Sequence, residues 1–174
     1  LEGNTCLWCC CIQYIRAVVV KMQNMKIAVF PGSFDPLHNG HVDIVNRLLP
    51  LFDKVIIAIG INQDKKYLFA LEKRMQWLKD VFASEPKIEV KSYSGLTVEF
   101  CKQQNAFYLI RGLRTSADFE FERAIAQLNK SQAGVESVFV ISTPENAPVS
   151  STILRDILKN GGSVTNFVPA KVTI

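Results

Sequence analysis

The chain has 174 residues, a length that favours one domain with a hydrophobic core large enough to be stable without a partner. Its 20 Lys and Arg and its 16 Asp and Glu give a formal net charge of +4 at pH 7. This excess is too small to indicate a nucleic acid as the partner, although basic side chains gathered in one cleft could still hold a small polyanion.

Residues 1–24 differ in composition from the rest of the chain. Four of the five cysteines lie there: Cys6, Cys9, Cys10 and Cys11. The first two have the CxxC spacing of a metal or redox site, but no second CxxC follows, so we expect no zinc site. The apolar stretches are shorter than the ~20 residues of a membrane span, and no secretory signal is evident. We interpret residues 1–24 as a non-native or disordered leader and residues 25–174 as the domain.

From Met25 onward, strand-like and helix-like segments alternate along the chain. Strands are predicted where apolar, mostly β-branched runs occur, over residues 26–31, 54–61, 87–93, 107–111 and 136–142. Helices are predicted where apolar residues recur at helical spacing, over residues 41–52, 71–82, 97–104, 116–130 and 150–160. This alternation predicts an α/β fold with a single, doubly wound, five-stranded parallel sheet.

Two helices also carry large apolar side chains whose place can be anticipated. Met75 and Trp77 of the second predicted helix are expected in the core. Phe119 and Phe121 of the fourth are expected in the core or between subunits. Cys101 is the only thiol of the domain, which favours a reducing, cytoplasmic compartment.

Polar and glycine-rich segments follow each predicted strand. They are residues 33–41, 62–66, 94–95, 111–114 and 146–152. In a doubly wound parallel sheet the carboxyl ends of the strands lie at one edge, and ligands bind there. We therefore expect five segments that are distant in sequence to converge on one site.

Both histidines of the chain lie in the first of these segments, His38-Asn39-Gly40-His41. This HxGH segment follows a strand and a glycine turn and opens a helix, where backbone N–H groups and the helix dipole favour a phosphate. Gly40 allows a ligand to approach the backbone closely, and His41 can donate a ring N–H to a phosphate oxygen. A pair of surface histidines at a helix cap is the alternative interpretation of this segment alone.

Three longer motifs resemble a known group of enzymes. They are Pro31-Gly32-Ser33-Phe34-Asp35-Pro36 before the HxGH segment, Arg111-Gly112-Leu113-Arg114, and Val149-Ser150-Ser151-Thr152. Together they resemble the HxGH nucleotidyltransferase superfamily and, within it, the bacterial phosphopantetheine adenylyltransferase family, from Met25 nearly to the C-terminus. The resemblance implies a Rossmann-like nucleotidyltransferase fold and transfer of the AMP portion of ATP to 4′-phosphopantetheine, which gives dephospho-coenzyme A and pyrophosphate. It also implies Mg²⁺ as the cofactor and a homohexamer, and it leaves feedback by coenzyme A open.

The resemblance assigns roles to individual residues. Catalysis is expected from His41, at the α-phosphate, together with Lys65 and Arg114. The acceptor is expected to contact Ser33, Lys65, Thr97 and Arg111. ATP is expected to contact Ser33, Phe34, His41, Gly112, Leu113, Arg114, Glu122, Asn146, Ala147, Pro148, Val149, Ser150, Ser151 and Thr152. No protein ligand for the metal is identified.

The chain departs from the family pattern at three places. His38 stands where many members have Thr, Thr97 stands where an apolar residue is frequent, and Asn146-Ala147 stands where an aromatic residue is frequent. The role of His38 is therefore left open.

The residue types suit nucleotidyl transfer on physical grounds. Such a reaction needs two anions held in line and the charge on the α-phosphoryl oxygens stabilised. The attacking phosphate is already ionised at neutral pH, so a site rich in donors and poor in catalytic carboxylates is expected. Two other functions stay open from the sequence: a nicotinate or nicotinamide mononucleotide adenylyltransferase, with cytidylyltransferases less favoured, and a nucleotide-binding module without catalysis.

Overall fold

The computed structural model describes residues 25–174, and the predicted leader over residues 1–24 lies outside them. Five strands form one parallel sheet: β1 (Ile27–Gly32), β2 (Lys54–Ile61), β3 (Ile88–Ser94), β4 (Tyr108–Leu113) and β5 (Glu136–Ile141). Five helices connect or follow them: α1 (Asn39–Leu48), α2 (Leu71–Val81), α3 (Thr97–Gln103), α4 (Ser116–Ala133) and α5 (Ser151–Lys159). Short 3₁₀ turns lie at Leu49–Leu51 and Thr165–Phe167.

The strand order β3-β2-β1-β4-β5 confirms the doubly wound sheet. From β1 the chain moves outward through β2 to β3, and then it crosses back to β4 on the other side of β1. The two halves of the sheet therefore separate at the carboxyl ends of β1 and β4, which is where a ligand binds in such sheets.

Hydrophobic side chains cover both faces of the sheet because neighbouring residues of a strand point to opposite faces. On β1, Ala28 and Phe30 belong to the larger core cluster, which includes residues of α1, α2 and α5. Val29, between them, belongs to a second cluster with Phe100 and Cys101 of α3. This two-sided burial explains why the strands read as continuous apolar runs.

Several predicted boundaries are corrected by the structure. The first helix begins at Asn39 rather than His41 and gives way to a 3₁₀ turn at Leu49, where Pro50 cannot donate the next helical hydrogen bond. Strand β4 continues through Gly112 and Leu113, which the sequence placed in a loop because glycine is typical of turns. Helix α4 runs to Ala133 and ends at Gly134, whose φ of 68° lies in the left-handed region.

The expectations for large apolar side chains have mixed outcomes. Trp77 is buried and Met75 packs against the core, as predicted. Phe119 and Phe121 are 40% and 67% exposed, so they do not lie in the core of the described residues, and their expected place between subunits stays a prediction. Within residues 25–174, no helix is long and apolar enough to cross a membrane.

Candidate active site

The carboxyl ends of β1 and β4 open into a cavity of about 270 Å³. Most of the predicted site residues line it: Ser33, His41, Lys65, Arg111, Gly112, Arg114, Glu122, Asn146, Val149, Ser150, Ser151 and Thr152. His38, Gly40 and Arg155 line it as well. Four of the five segments that were predicted to converge therefore line this cavity, and residues 94–95 do not.

A second cavity of about 300 Å³ adjoins the first and shares part of its lining. All four predicted acceptor contacts line this second cavity: Ser33, Lys65, Thr97 and Arg111. Ser33, Lys65 and Arg111 line both cavities and so stand at the boundary between them. Thr97 lies outside the main cavity, and its hydroxyl oxygen is 2.8 Å from the hydroxyl of Tyr93.

Four residues predicted to contact ATP do not line the main cavity. Phe34 and Leu113 are buried, at 1% and 7% exposure, and their side chains belong to the hydrophobic interior. Ala147 and Pro148 lie on the loop that leads to α5, outside the cavity lining. Phe34 has a φ of 45°, and its ring packs against His41 with the centroids 4.9 Å apart. The side chain of Phe34 therefore supports the site rather than facing the cavity.

The protonation of His41 is set by its hydrogen bonds. The backbone N–H of His38 donates to Nδ1 of His41 over 3.2 Å, so the proton of the neutral ring belongs on Nε2. Burial lowers the pKa of His41 well below its ordinary value of 6.5, and His38 and Arg114 nearby lower it further. At neutral pH the ring is therefore an uncharged Nε2–H donor.

Arg111 lies in β4 and Arg114 directly follows it, and a carboxylate of α4 holds each of them. Arg111 makes a bidentate pair with Glu122, in which Nε donates to Oε2 over 2.7 Å and Nη2 donates to Oε1. Arg114 donates from Nε and Nη2 to Asp118 over 3.1 and 3.2 Å. Burial raises the pKa of Asp118, but hydrogen bonds from Arg114 outweigh it and hold that pKa below its ordinary value. Both guanidinium groups are thus placed before any anion arrives.

Helix α5 begins beside the main cavity. Ser150 caps it by accepting a hydrogen bond from the N–H of Ile153 over 3.2 Å, and Ser151 donates to the carbonyl of Pro36 over 3.0 Å. A capped helix N-terminus with free backbone donors and hydroxyl groups favours a bound anion.

A buried polar network beneath the site ties its loops together. Asp35 is 1% exposed and accepts hydrogen bonds from the backbone N–H groups of Leu68 and Phe69, each over 2.9 Å. Arg74, 3% exposed, donates to the carbonyl of Ser33 over 2.7 Å and to the carbonyl of Phe69 over 3.0 Å. These bonds join the turn that follows β1 to the end of the loop that carries Lys65.

The loop of Lys65 is also fastened at its base by Tyr67. The Tyr67 hydroxyl donates to the carbonyl of Gly60 over 3.2 Å and accepts from the N–H of Asn62 over 3.1 Å. The guanidinium of Arg74 lies 4.2 Å from the centre of the Tyr67 ring. Lys65 is exposed, but the loop on both sides of it is anchored.

Sequence reasoning gave no functional role to Asp35, Arg74, Asp118 or Arg155. Arg155 donates to the backbone carbonyl of Asp35 over 2.8 Å and so connects α5 to the same turn. A signal for Arg74 was present, because it lies three and four residues before the buried Trp77 and Leu78 and therefore on the core face of its helix. A buried arginine needs partners, which marks it for attention.

Metal ligands are scarce in the described part of the chain. Residues 25–174 contain no group of three or more His, Cys, Asp or Glu side chains arranged to hold an ion. Glu122 is the carboxylate that lines the main cavity, and it is paired with Arg111. These residues do not form a cation cage.

Comparison with known proteins finds one family and close relatives. The model of a family described as cytidylyltransferase-like matches residues 29–157. A protein named phosphopantetheine adenylyltransferase from Christiangramia forsetii is 52% identical over 145 residues, which are 83% of this chain and 96% of that relative. Proteins of the same name from Cytophaga hutchinsonii and Flavobacterium psychrophilum are 49% and 48% identical. Their matches span 84% and 86% of this chain and 99% of each relative.

Proposed function

This chain belongs to the cytidylyltransferase-like family, as one of its phosphopantetheine adenylyltransferases, and on that basis we propose a separate role for each group of residues in the site. The reaction is transfer of the adenylyl group of ATP to 4′-phosphopantetheine, with dephospho-coenzyme A and pyrophosphate as products. The comparisons give no support to the pyridine mononucleotide alternative that the sequence left open.

One observation carries the residue assignment. The cavity with most of the predicted ATP contacts and the cavity with the predicted acceptor contacts meet at Ser33, Lys65 and Arg111. Two substrates in adjoining cavities can bring their phosphates together at the common boundary, which is what in-line transfer needs. His41 lines the ATP side of this boundary.

The chemical step then proceeds without a general base. An oxygen of the acceptor phosphate, already ionised, attacks the α-phosphorus of ATP, and a new P–O bond forms. The bond from the α-phosphorus to the bridging oxygen breaks, and pyrophosphate leaves with that oxygen. His41 donates its Nε2–H to an α-phosphoryl oxygen, where negative charge must be stabilised in the transition state.

The remaining donors serve the two substrates separately. On the ATP side, Arg114 binds the phosphates that leave. The N-terminus of α5 binds them as well, through its backbone N–H groups and the hydroxyls of Ser150, Ser151 and Thr152. On the acceptor side, Lys65 and Arg111 bind the attacking phosphate, and Thr97 lines the same cavity. Glu122 holds Arg111 in place. Gly112 allows β4 to approach α1, because a Cβ there would lie 2.3 Å from Cδ1 of Ile44.

Nucleotidyltransferases are generally metal-dependent, and we assign Mg²⁺ to this chain as the ion that accompanies ATP. The described residues do not supply a cage of protein ligands, so the ATP phosphates are its expected ligands. When bound, the ion neutralises phosphate charge. The roles given above to the side chains do not depend on a bond between protein and metal.

Association into a homohexamer is supported by an apolar surface on α4 and β5. None of the 18 residues of α4 is buried in the protomer. Phe121, Leu128 and Ile141 are 67%, 57% and 73% exposed. Phe121 and Leu128 are seven residues apart and so lie on one face of α4, and exposed large apolar side chains on one face favour contact with another protein. A native mass six times the 19.5 kDa of the chain would support the hexamer, and a monomeric mass would refute it.

A product-like ligand is also expected to fit this site. Coenzyme A contains both a pantetheine arm and an adenylate, so it would occupy the acceptor cavity and the ATP cavity together and compete with both substrates. A cytoplasmic location is supported by the free thiol of Cys101, because free thiols persist in a reducing compartment.

The assay that tests the function offers the full chain ATP and Mg²⁺ with each acceptor in turn and measures pyrophosphate. We expect pyrophosphate release with 4′-phosphopantetheine and none above background with nicotinate or nicotinamide mononucleotide. Turnover with the pyridine mononucleotides alone would overturn the assignment. Binding of ATP and 4′-phosphopantetheine without release would instead indicate a non-catalytic module.

A further inference from the structure

His38 is an unusual residue for the start of a helix. It is the N-cap of α1, a position where Ser, Thr, Asp or Asn is preferred because a short side chain can accept a hydrogen bond from the first turn. The imidazole of His38 is 6% exposed, and within residues 25–174 its buried Nδ1 atom has no hydrogen-bond partner. A buried polar atom without a hydrogen-bond partner costs free energy, so the burial of this ring needs an explanation.

The ring of His38 lies directly against the ring of His41. Their centroids are 3.6 Å apart and their planes differ by 30°. Phe34 packs against His41 in an edge-on arrangement, with the ring centroids 4.9 Å apart. The imidazole of His41 is therefore confined between an aromatic ring and a second imidazole.

The backbone of His38 fixes which nitrogen of His41 carries the proton. Its N–H donates to Nδ1 of His41 over 3.2 Å, and its carbonyl accepts from the N–H of His41 over 2.9 Å. If Nδ1 of His41 became protonated, two N–H donors would face each other and this bond would be lost. The local geometry therefore disfavours the imidazolium form of His41.

Gly40 leaves room for the ring of His38. A Cβ atom at position 40 would lie 3.1 Å from Nδ1 and 3.2 Å from Cε1 of His38. These distances are tighter than ordinary carbon contacts, so a side chain at position 40 would require the ring of His38 to shift. Gly40 and the stacked pair thus form one packed unit at the start of α1.

The charges that surround the two rings are mostly positive. Arg114, Lys65, Arg111 and Arg155 line the same cavity, and the carboxylate of Glu122, which also lines it, is paired with Arg111. Phe30 of β1 and Phe34, which contact His41, carry no charge. Burial, followed by Arg114, lowers the pKa of His38 from 6.5 to about 4. Both rings are therefore neutral at physiological pH.

We propose that His38 is a positioning residue for His41: its stacked, buried ring shields the imidazole of His41 from water and holds it as a neutral Nε2–H donor. His38 acts through His41 and needs no contact with substrate. The proposal depends on the proposed function at one point only, the use of His41 as a donor in the reaction.

The two histidines make a direct test possible, because they are the only ones in the chain. The full chain, prepared without a histidine tag and with ¹⁵N-labelled histidine, gives ring NMR signals for His38 and His41 alone. Ring titrations are compared for wild type, H38T, H38F and N39S. H38T removes the ring, H38F retains a ring that cannot titrate, and N39S is a matched control at the neighbouring residue, whose side chain contacts the carbonyl of Asn166.

We expect wild type to show His41 as the Nε2–H tautomer and both rings neutral at pH 6. In H38T, His41 should titrate at higher pH than in wild type, whereas in H38F and N39S it should remain closer to wild type. The acid limb of kcat/KM should move to higher pH in H38T in the same sense. At pH 6, relative to pH 8, we expect kcat/KM of H38T to be lower than that of wild type by about threefold or more.

Three results would overturn the proposal: a His41 titration in H38T that coincides with wild type, a shift in H38F as large as in H38T, or a charged His38 in wild type at pH 6. The charge state of His38 in the wild-type protein tests the proposal even if a variant does not fold. Because the ring titrations need no turnover, failure of the adenylyl transfer reaction and failure of this proposal are separate outcomes.

Discussion

The carboxylate of Asp118 holds the guanidinium of Arg114 at two points, with Nε–Oδ2 and Nη2–Oδ1 distances of 3.1 and 3.2 Å. The same carboxylate accepts the backbone N–H of Arg114 over 3.0 Å. The backbone N–H of Asp118 donates to the hydroxyl oxygen of Thr115, the N-cap residue of α4, and this bond fixes the position of Asp118. The first turn of α4 thus orients a side chain that faces the main cavity.

Replacement of Asp118 by Asn should weaken ATP binding by about fivefold in KM. The change removes the negative charge and one acceptor, and a partly exposed, charge-assisted pair of this kind contributes about 1 kcal/mol. The KM for 4′-phosphopantetheine should change little. Steady-state kinetics with each substrate varied in turn measure both constants.

The matched control for this change is E120Q on the same helix. Glu120 pairs with Arg123, and both side chains are more than half exposed, so its loss should leave both KM values unchanged. Equal effects of D118N and E120Q would show that Arg114 is not oriented by Asp118.

Replacement of Asp35 by Asn should lower the free energy of unfolding by about 2–4 kcal/mol. The buried carboxylate accepts two backbone N–H groups, and an amide in its place has a single oxygen and would set an NH₂ group against a donor. The loop that carries Lys65 would also lose an anchor, so the acceptor KM should rise. Urea unfolding and kinetics measure the two effects.

D53N provides the control for D35N. Asp53 also accepts a backbone N–H, that of Lys26 over 2.8 Å, but it is exposed, so water can replace the lost bond. If D35N were no more destabilising than D53N, the buried network would not have the role described above.

The two histidines should make the protein less stable as the pH falls. His38 binds a proton in the unfolded chain below its ordinary pKa of 6.5 but in the folded protein only near 4. Between these values the unfolded state holds more protons, so the free energy of unfolding decreases with decreasing pH, by about 3 kcal/mol for this group. Below about pH 4 the loss from His38 is complete.

Urea unfolding of wild type, H38T and N39S between pH 7.5 and pH 4 measures this dependence at a fixed protein concentration. The decrease should be smaller in H38T by about 3 kcal/mol and unchanged in N39S. A wild-type curve parallel to that of H38T would contradict the assignment of a neutral buried His38.

Removal of divalent cations should stop turnover without destabilising the protein. The described residues contain no group of three or more His, Cys, Asp or Glu side chains arranged to hold an ion, so we expect a chelator to leave the ligand-free fold intact. We expect a chelator to abolish pyrophosphate release and Mg²⁺ to restore it, with Tm unchanged in the absence of ATP. A decrease in Tm on chelation would indicate a protein-bound ion.

Much of this architecture follows from local sequence patterns, and the exceptions have physical causes. The apolar runs of β1 and β2 end in polar segments because both faces of a parallel sheet are covered while its carboxyl edge is open. Gly112 was assigned to a loop because glycine marks turns. In the fold it stays in β4, where a Cβ atom would displace the side chain of the nearby Ile44. That contact joins residues 68 positions apart, so it cannot be predicted from the sequence pattern around either residue.

The roles of buried polar side chains were also beyond local patterns. Asp35 lies in a recognisable motif, but its partners are backbone groups of Leu68 and Phe69, on a different loop. Phe34 lies in the same motif, yet its φ is positive and its buried ring packs against His41 instead of lining the main cavity. The sequence indicated that these segments meet, whereas the structure shows which atoms contact one another.

The central claim, that His41 acts on the transition state, is tested most directly by comparing turnover and ATP affinity in H41A. Loss of one well-placed donor should lower kcat by about 10²–10³-fold. The Kd for ATP, measured by calorimetry without the acceptor, should stay within about threefold of wild type, because the donor is used mainly when charge develops in the transition state. Equal losses of kcat and of ATP affinity would contradict the claim and reduce His41 to a binding residue.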